Sequence, residues 1–314
     1  MPLPYAANVP SYSDAGFIPI HFATQVNVKY YFETLLPRIT NTKFQTQLLN
    51  KGDKVVIPQR PDIAWRDGQV AKESDVDIPV SEPVEFQISR ILDYDFVIPD
   101  VLEKQSGVDV GAEGVQDTTL SMDGQLQQRL FADLVDKADD ANMGATAGKV
   151  GAGYNLGTAA SPLGVNTENA ILFVTAFRSV LAEQKAAKPG MWVILPEILR
   201  YKLINSDLRK AMEMGDDKSV LRTQIVGSLD GTMIYSSPQL ATERVEVSGT
   251  EVTAYAVIAG NLDAITFCAQ LNKAEKLRYH LFMGDRYRGT VVYDWKVVKP
   301  QGLCVAWVYA KAES

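Results

Sequence analysis

The chain has 314 residues, 46% hydrophobic and 22% charged, enough apolar material for one elaborate domain or two intertwined ones. A formal net charge of -7 argues against broad adhesion to nucleic acid. No apolar run approaches the roughly 18 residues of a membrane span, and Met1-Pro-Leu-Pro-Tyr5 lacks the basic and apolar regions of a signal peptide.

The first fifty residues carry polar and Pro-rich patches, with an apolar cluster over 28–36 closed by Pro37. They predict a mostly extended N-terminal arm, 1–51, with one short helix before Pro37. Gly52-Asp-Lys-Val-Val-Ile-Pro58 then opens a long extended hairpin, 52–95, which passes Pro61, Trp65, Asp67-Gly68, Pro79 and Pro83 and returns over 84–91. Neither leg has helical period. A two-stranded hairpin is marginal alone in water, so this arm needs a surface, and a neighbouring copy is the economical source of one.

Residues 91–98 predict another strand, stopped by Pro99, and Gly107, Gly111 and Gly114 predict a loop. A long helix follows over about 120–143, with Leu126, Leu130, Leu134, Val135, Ala138 and Ala141 on one face and Gln127, Asp133, Asp136 and Asp140 opposite. The Gly/Ala-rich stretch 144–164 reads as a mobile loop. A second amphipathic helix is expected over 167–185, with Ile171, Val174, Phe177, Val180 and Leu181 inward. Met191-Trp-Val-Ile-Leu195 is a continuous apolar run and hence a buried strand, after which Pro196 opens a helix. Strands are predicted around Ile225 and over 233–235, 244–247 and 252–258, with Asp230-Gly231 and Ser248-Gly249 as turns. The last segment alternates through Leu277, Tyr279 and Leu281, then Val291, Tyr293, Trp295 and Val297, before Pro300-Gln-Gly302 turns it into a final strand over 303–309. The class is α+β, with strands gathered toward the two ends.

Catalytic signatures are missing from this pattern. Gly144-Ala-Thr-Ala-Gly148-Lys149-Val150 has three residues between its glycines, where a phosphate loop needs four, and Val where Ser or Thr belongs. Gly151-Ala-Gly153-Tyr-Asn-Leu-Gly157 misses the dinucleotide fingerprint by one residue and lacks a preceding strand. His21 and His280 are the only histidines, and with Cys268 and Cys304 they give no zinc spacing. Both cysteines sit in apolar runs and read as buried hydrophobes, His280 reads as a surface strand position, and Asp133, Asp136, Asp139 and Asp140 read as the solvated face of the long helix, with a cation site as the alternative. Nothing demands an enzyme, a cofactor or a resident metal.

Charge is more informative. Between Asp53 and Asp95 lie ten acidic and five basic residues, whereas between Lys273 and Lys299 lie seven basic and three acidic. An acidic arm and a basic strand region in one chain suit each other across a head-to-tail contact, with Asp75 and Asp77 meeting Arg286 and Arg288. Trp65, beside Arg66-Asp67 near the expected hairpin tip, suits an anchor in a neighbour's pocket.

The order of parts, from arm through hairpin, long helix and central α/β unit to closing strands, resembles the major capsid proteins of tailed bacteriophages with the Hong Kong 97 fold. The local matches are Gly52-Asp-Lys-Val-Val-Ile-Pro58 with the start of the family's extended loop, 116–143 with its spine helix, and Trp192-Val-Ile-Leu-Pro-Glu197 with its axial domain. Ala259-Gly-Asn-Leu-Asp-Ala-Ile265 and Arg286-Tyr-Arg-Gly-Thr-Val-Val-Tyr293 are similar to later strands, the second to the peripheral domain. The resemblance implies an N-terminal arm (1–51), an extended loop (52–95), a peripheral domain with the spine helix (96–164), an axial domain (165–270) and closing strands of both domains (271–314). It also implies a shell protein of the virion, assembled in the host cytoplasm into hexamers and pentamers around double-stranded DNA. Partners implied are a portal, a scaffolding protein and, in some members, a decoration protein. Because the chain starts at Met1 without a long leading segment, a separate scaffolding protein is the expectation. Lys51, Lys54 and Lys72 are available to the family's Lys–Asn cross-links, but no matching asparagine and glutamate can be placed, so that chemistry is not carried over. The related encapsulins, shells that hold a cargo enzyme, are the alternative assembly.

Overall fold

The computed structural model of the protein describes residues 34–44, 54–61, 81, 83–101, 104, 110–206, 227–247, 249–281 and 283–312. In chain order it contains helix α1 (Leu36–Ile39), strands β1 (Lys54–Ile57), β2 (Val84–Gln87) and β3 (Arg90–Pro99), helix α2 (Val110–Leu134), strand β4 (Leu163–Val165) and helix α3 (Ala170–Glu183). There follow β5 (Met191–Leu195), α4 (Glu197–Ile204), β6 (Ser228–Leu229), β7 (Thr232–Ser236), β8 (Thr242–Val247), β9 (Thr250–Asn261), β10 (Ile265–Arg278), β11 (Gly284–Val297) and β12 (Leu303–Ala310). No helix among the described residues is long and apolar enough to cross a membrane.

The largest sheet has the order β4-β12-β9-β5-β7-β6, with β8 added on β9, and its strand β5 explains why the core reads as it does. Met191, Val193 and Leu195 point to one side, where Phe173, Phe177 and Leu181 of α3 and Leu199 and Leu203 of α4 cover them. Trp192 and Ile194 point to the other, against Leu126, Leu130, Phe131 and Leu134 of α2. A strand covered on both faces has no polar side to alternate with, hence the continuous run. At the sheet's edge Asp230 and Gly231 have φ of 48° and 71°, the two positive values a tight turn between β6 and β7 requires.

Helix α2 differs from expectation at both ends. It begins at Val110, so Gly111 and Gly114 lie within it. These glycines let the helix lie down on the neighbouring strands: a Cβ at Gly111 would run into the Tyr287 hydroxyl, and one at Gly114 would meet the Phe96 ring at 3.1 Å. The helix stops at Leu134 and does not continue to residue 143. Carboxylates at Asp136, Asp139 and Asp140 would sit at the negative end of the helix dipole. Asp139 instead accepts the Ala141 N–H at 3.0 Å and opens a short 3-10 turn over 140–142. The aspartates therefore do not form one solvated helix face. Gln127 is also not on a polar face. It is buried, with Oε1 accepting the Leu35 N–H at 2.7 Å and Nε2 donating to Ser237 Oγ at 3.2 Å, so it fastens the N-terminal segment to the core.

Smaller departures have equally local causes. Pro37 lies in the first turn of α1 and does not end a helix, a position where its missing N–H costs nothing. The stretch 144–164 is a built loop: Glu183 accepts N–H bonds from Val150 at 2.8 Å and Gly151 at 3.0 Å, which holds its carboxyl below the usual range. His280 falls in the bend between β10 and β11, outside either strand. Residue 95, read as the end of the hairpin, falls inside β3, and residue 270 falls inside β10. Cys268 and Cys304 are buried free thiols, and burial pushes the pKa of both upward. The strand around Ile225, His21 and the expected hairpin tip lie outside the described residues.

Candidate assembly surfaces

Strands β10, β11 and β3 form a separate antiparallel sheet in that order, built on the alternation visible in the last segment. Register pairs Arg288 with Asp95 and Gly289 with Tyr94, so odd-numbered side chains of β11 face α2 and even-numbered ones face away. On the α2 side Tyr287 stacks on Phe96 with ring centroids 5.4 Å apart, and Tyr293 Oη accepts from Arg129 of α2 at 3.0 Å. Arg286 and Arg288 share the outward face, so their juxtaposition follows directly from strand period.

Those two arginines already have partners in the same chain. Arg286 binds the Asp95 carboxylate in bidentate fashion, with Nε donating at 2.7 Å, and Arg288 Nε lies 3.8 Å from Glu275. Nearby, Arg278 reaches both Asp100 and Asp285, and Lys276 reaches Asp285 at 2.9 Å. Four of the seven cations of this segment are thus answered by Asp95, Asp100, Glu275 and Asp285, of which sequence order had assigned Asp95 to the arm. Trp65, Arg66, Asp67, Asp75 and Asp77 lie outside the described residues, so their meeting with Arg286 and Arg288 stays an expectation.

These pairs give the sheet a signed pH response. Asp95 is held below the usual carboxylate range by the Arg286 hydrogen bond, and Asp285 by those from Lys276 and Arg278. A folded-state pKa below the unfolded one contributes stability that is present above about pH 4 and lost as pH falls through the folded value. Amide protection factors along the β3–β11 ladder, corrected for intrinsic exchange, are expected to drop between pH 5 and pH 3. Unchanged protection would show that main-chain pairing and aromatic packing hold the ladder without the ion pairs.

The root of the hairpin is the second surface. Strands β1 and β2 pair antiparallel, Ile57 opposite Val84, and their buried Ile57 and Phe86 pack with Cys268 and Val298. The corner from β2 into β3 is pinned by Asp294 of β11. Its Oδ2 accepts from the Ser89 N–H at 3.1 Å and Ser89 Oγ at 2.8 Å, and its Oδ1 lies 3.4 Å from Arg90 Nε. The Arg90 guanidinium sits 3.9 Å above the Trp295 ring, and Trp295 Nε1 donates to Asp133 of α2 at 2.7 Å. Hairpin, long helix and closing strand thereby meet in one closed network. Sequence reading missed it because Asp294 alternates outward in an otherwise apolar strand and gives no signal of its burial.

Solved structures share the fold over nearly the whole chain. A chain of Mycobacterium phage Che8 superposes with a TM-score of 0.72 at 21% identity, covering 92% of this chain and 96% of that one. The chain is similar, too, to one in the capsid asymmetric unit of cyanophage Pam1, with TM-score 0.68, 12% identity and coverage of 98% and 100%. A chain of the capsid of cyanophage P-SCSP1u gives 0.66 at 15% identity, with coverage of 98% and 97%. The chain has a phage capsid fold. No family model and no curated protein sequence matches it. With identities this low, the likeness is one of fold, and in the sequence it is the order of parts that carries the resemblance. No group of His, Cys, Asp and Glu among the described residues could hold a metal ion.

Proposed function

We propose that the chain is the major capsid protein of a tailed phage, a structural component of the virion that self-assembles into the hexamers and pentamers of an icosahedral head around double-stranded DNA. The observation that supports this best is coverage: capsid chains of separate phages align with nearly the whole molecule, at both ends and through the centre. Assembly proceeds in the host cytoplasm on a scaffolding protein and around a portal, and a decoration protein is added in some heads. Residues 96–164 supply the peripheral domain with the spine helix, 165–270 the axial domain, and 271–314 the closing strands of both.

A long arm on a stiff root is what such assembly needs. The root is held by the Asp294 network, while the arm beyond Pro61 carries Trp65, Arg66 and Asp67 toward the neighbouring subunit. Purified protein viewed by negative-stain electron microscopy is expected to give closed shells of uniform size, alone or with its scaffold. A protein that stays a compact monomer under all conditions overturns the reading, and shells filled with a single co-purifying enzyme assign it to the encapsulins.

A further inference from the structure

A groove runs along the hairpin root. Its floor is apolar, made by Phe44, Ile57 and Val298, and its rim is cationic, made by Lys43, Arg60 and Lys299. The walls are fixed. Asn41 bridges in parallel to Thr266 at the start of β10, and Gln59 Nε2 donates to the Val298 carbonyl at 3.0 Å. One carboxylate faces this rim, that of Asp263, and the Lys43 hydrogen bond, with Lys299 and Lys188 near by, holds it well below its ordinary pKa. Lys43 is thereby engaged and Lys299 adds to the field on Asp263 without a direct ion pair, whereas Arg60 makes no ion pair with any described residue. This is the reverse of the β11 face, whose arginines are answered in the chain.

We propose that this groove receives the acidic stretch 73–80 of a second copy's hairpin arm. The stretch reads Glu73-Ser-Asp-Val-Asp-Ile-Pro-Val80, three acids with no base, and from Asp75 to Ile78 acid and apolar residues alternate. In an extended chain Asp75 and Asp77 share one side, while Val76 and Ile78 share the other. An apolar floor under a cationic rim fits that two-sided segment, with carboxylates on Arg60 and Lys299 and aliphatic side chains on Ile57 and Val298. Nucleic acid offers the charge without the alternating aliphatic side chains. Because the groove lies at the root of one arm and the ligand on another, the contact is of the kind that runs head-to-tail around a ring.

The inference rests on the shell reading for its partner, but its test needs no shell. A synthetic peptide of sequence ESDVDIPV, titrated into the full-length soluble subunit, is expected to bind and to weaken by about tenfold or more in the Arg60→Glu, Lys299→Glu double variant. Arg286→Glu with Arg288→Glu is expected to leave peptide binding within about twofold, and a scrambled peptide to bind weakly. A peptide that fails to bind, that binds the groove variant as well as the wild type, or that is lost only with Arg286 and Arg288 overturns the assignment. So does a short DNA duplex that takes the groove where the peptide does not. In the full chain, Asp75→Lys with Asp77→Lys should restore assembly to the groove variant. A subunit that binds the peptide through Arg60 and Lys299 yet never forms shells leaves this contact standing and removes the shell reading alone.

Discussion

Replacing residues 62–80 by a short glycine–serine linker is expected to leave a folded, soluble subunit that forms no closed shells. The design follows from where the core ends. Strands β1 and β2 hold buried Ile57 and Phe86 against Cys268 and Val298, so the root belongs to the folded body. Removing the whole of 52–95 would take Phe86 with it, a loss of about 3–5 kcal/mol for a buried aromatic, and would cut β3 after Asp95, in mid-strand. The shorter replacement touches none of these. It removes Trp65, Arg66-Asp67 and the acidic stretch 73–80 together, which are the parts assigned to the neighbouring subunit. Circular dichroism and sedimentation velocity decide it. The wild-type melting temperature with a sedimentation coefficient of single subunits or small oligomers is the expected pair, and Trp65→Ala alone should shift assembly in the same direction. Normal shells from the linker variant would mean that the arm is dispensable for closure, and a collapsed melting transition would mean that it belongs to the core.

How far the sequence could be read depended on whether period or partners decide each element. Strand β5 and the alternation of β11 were legible because burial on two faces or one writes itself into the order of apolar residues. Helix α2 was half legible. Its apolar stripe at Leu126, Leu130 and Leu134 is local, but its true start depends on Tyr287 and Phe96, distant side chains that only glycine can approach. Gln127 misled for the same reason: an amide on a helix looks solvated until its partners, Leu35 and Ser237, arrive from 92 and 110 residues away. At the assembly surfaces, net charge by segment was a poor guide. Asp95 and Arg286 were counted on opposite sides of a contact between subunits, and strand pairing brings them together within one. Arg60 and Lys299, which line one groove at the hairpin root, stand far apart in sequence and carry no motif.

Asp294→Ala is expected to lower the stability of the subunit by about 2 kcal/mol, the usual cost of leaving part-buried hydrogen-bond donors without their acceptor, and to free the hairpin from its fixed angle. Asp294 is only 7% exposed, and its two oxygens serve the Ser89 N–H, the Ser89 hydroxyl, the Trp295 N–H and the Arg90 guanidinium. Alanine leaves these donors without their acceptor, and Arg90 keeps only Asp133 and the Trp295 ring. Asp294→Asn keeps an acceptor for Ser89 while losing the charge, so its cost should be nearer 1 kcal/mol, that of an ordinary hydrogen bond. Thermal unfolding gives the first difference, and hydrogen exchange at the Ser89 amide gives the second, since that N–H is held by a side chain and by no strand partner. A double-mutant cycle with Arg90→Ala separates the ion pair from the Ser89 bonds. If the alanine variant melts like the wild type and Ser89 remains equally protected, the corner is held by main-chain pairing of β3 on β11 alone. If it melts lower and Ser89 exchanges freely, the direction in which the arm leaves the body is set by one carboxylate. Shells assembled from that variant should then lose their uniform size, because every subunit would offer its arm to the next at a variable angle.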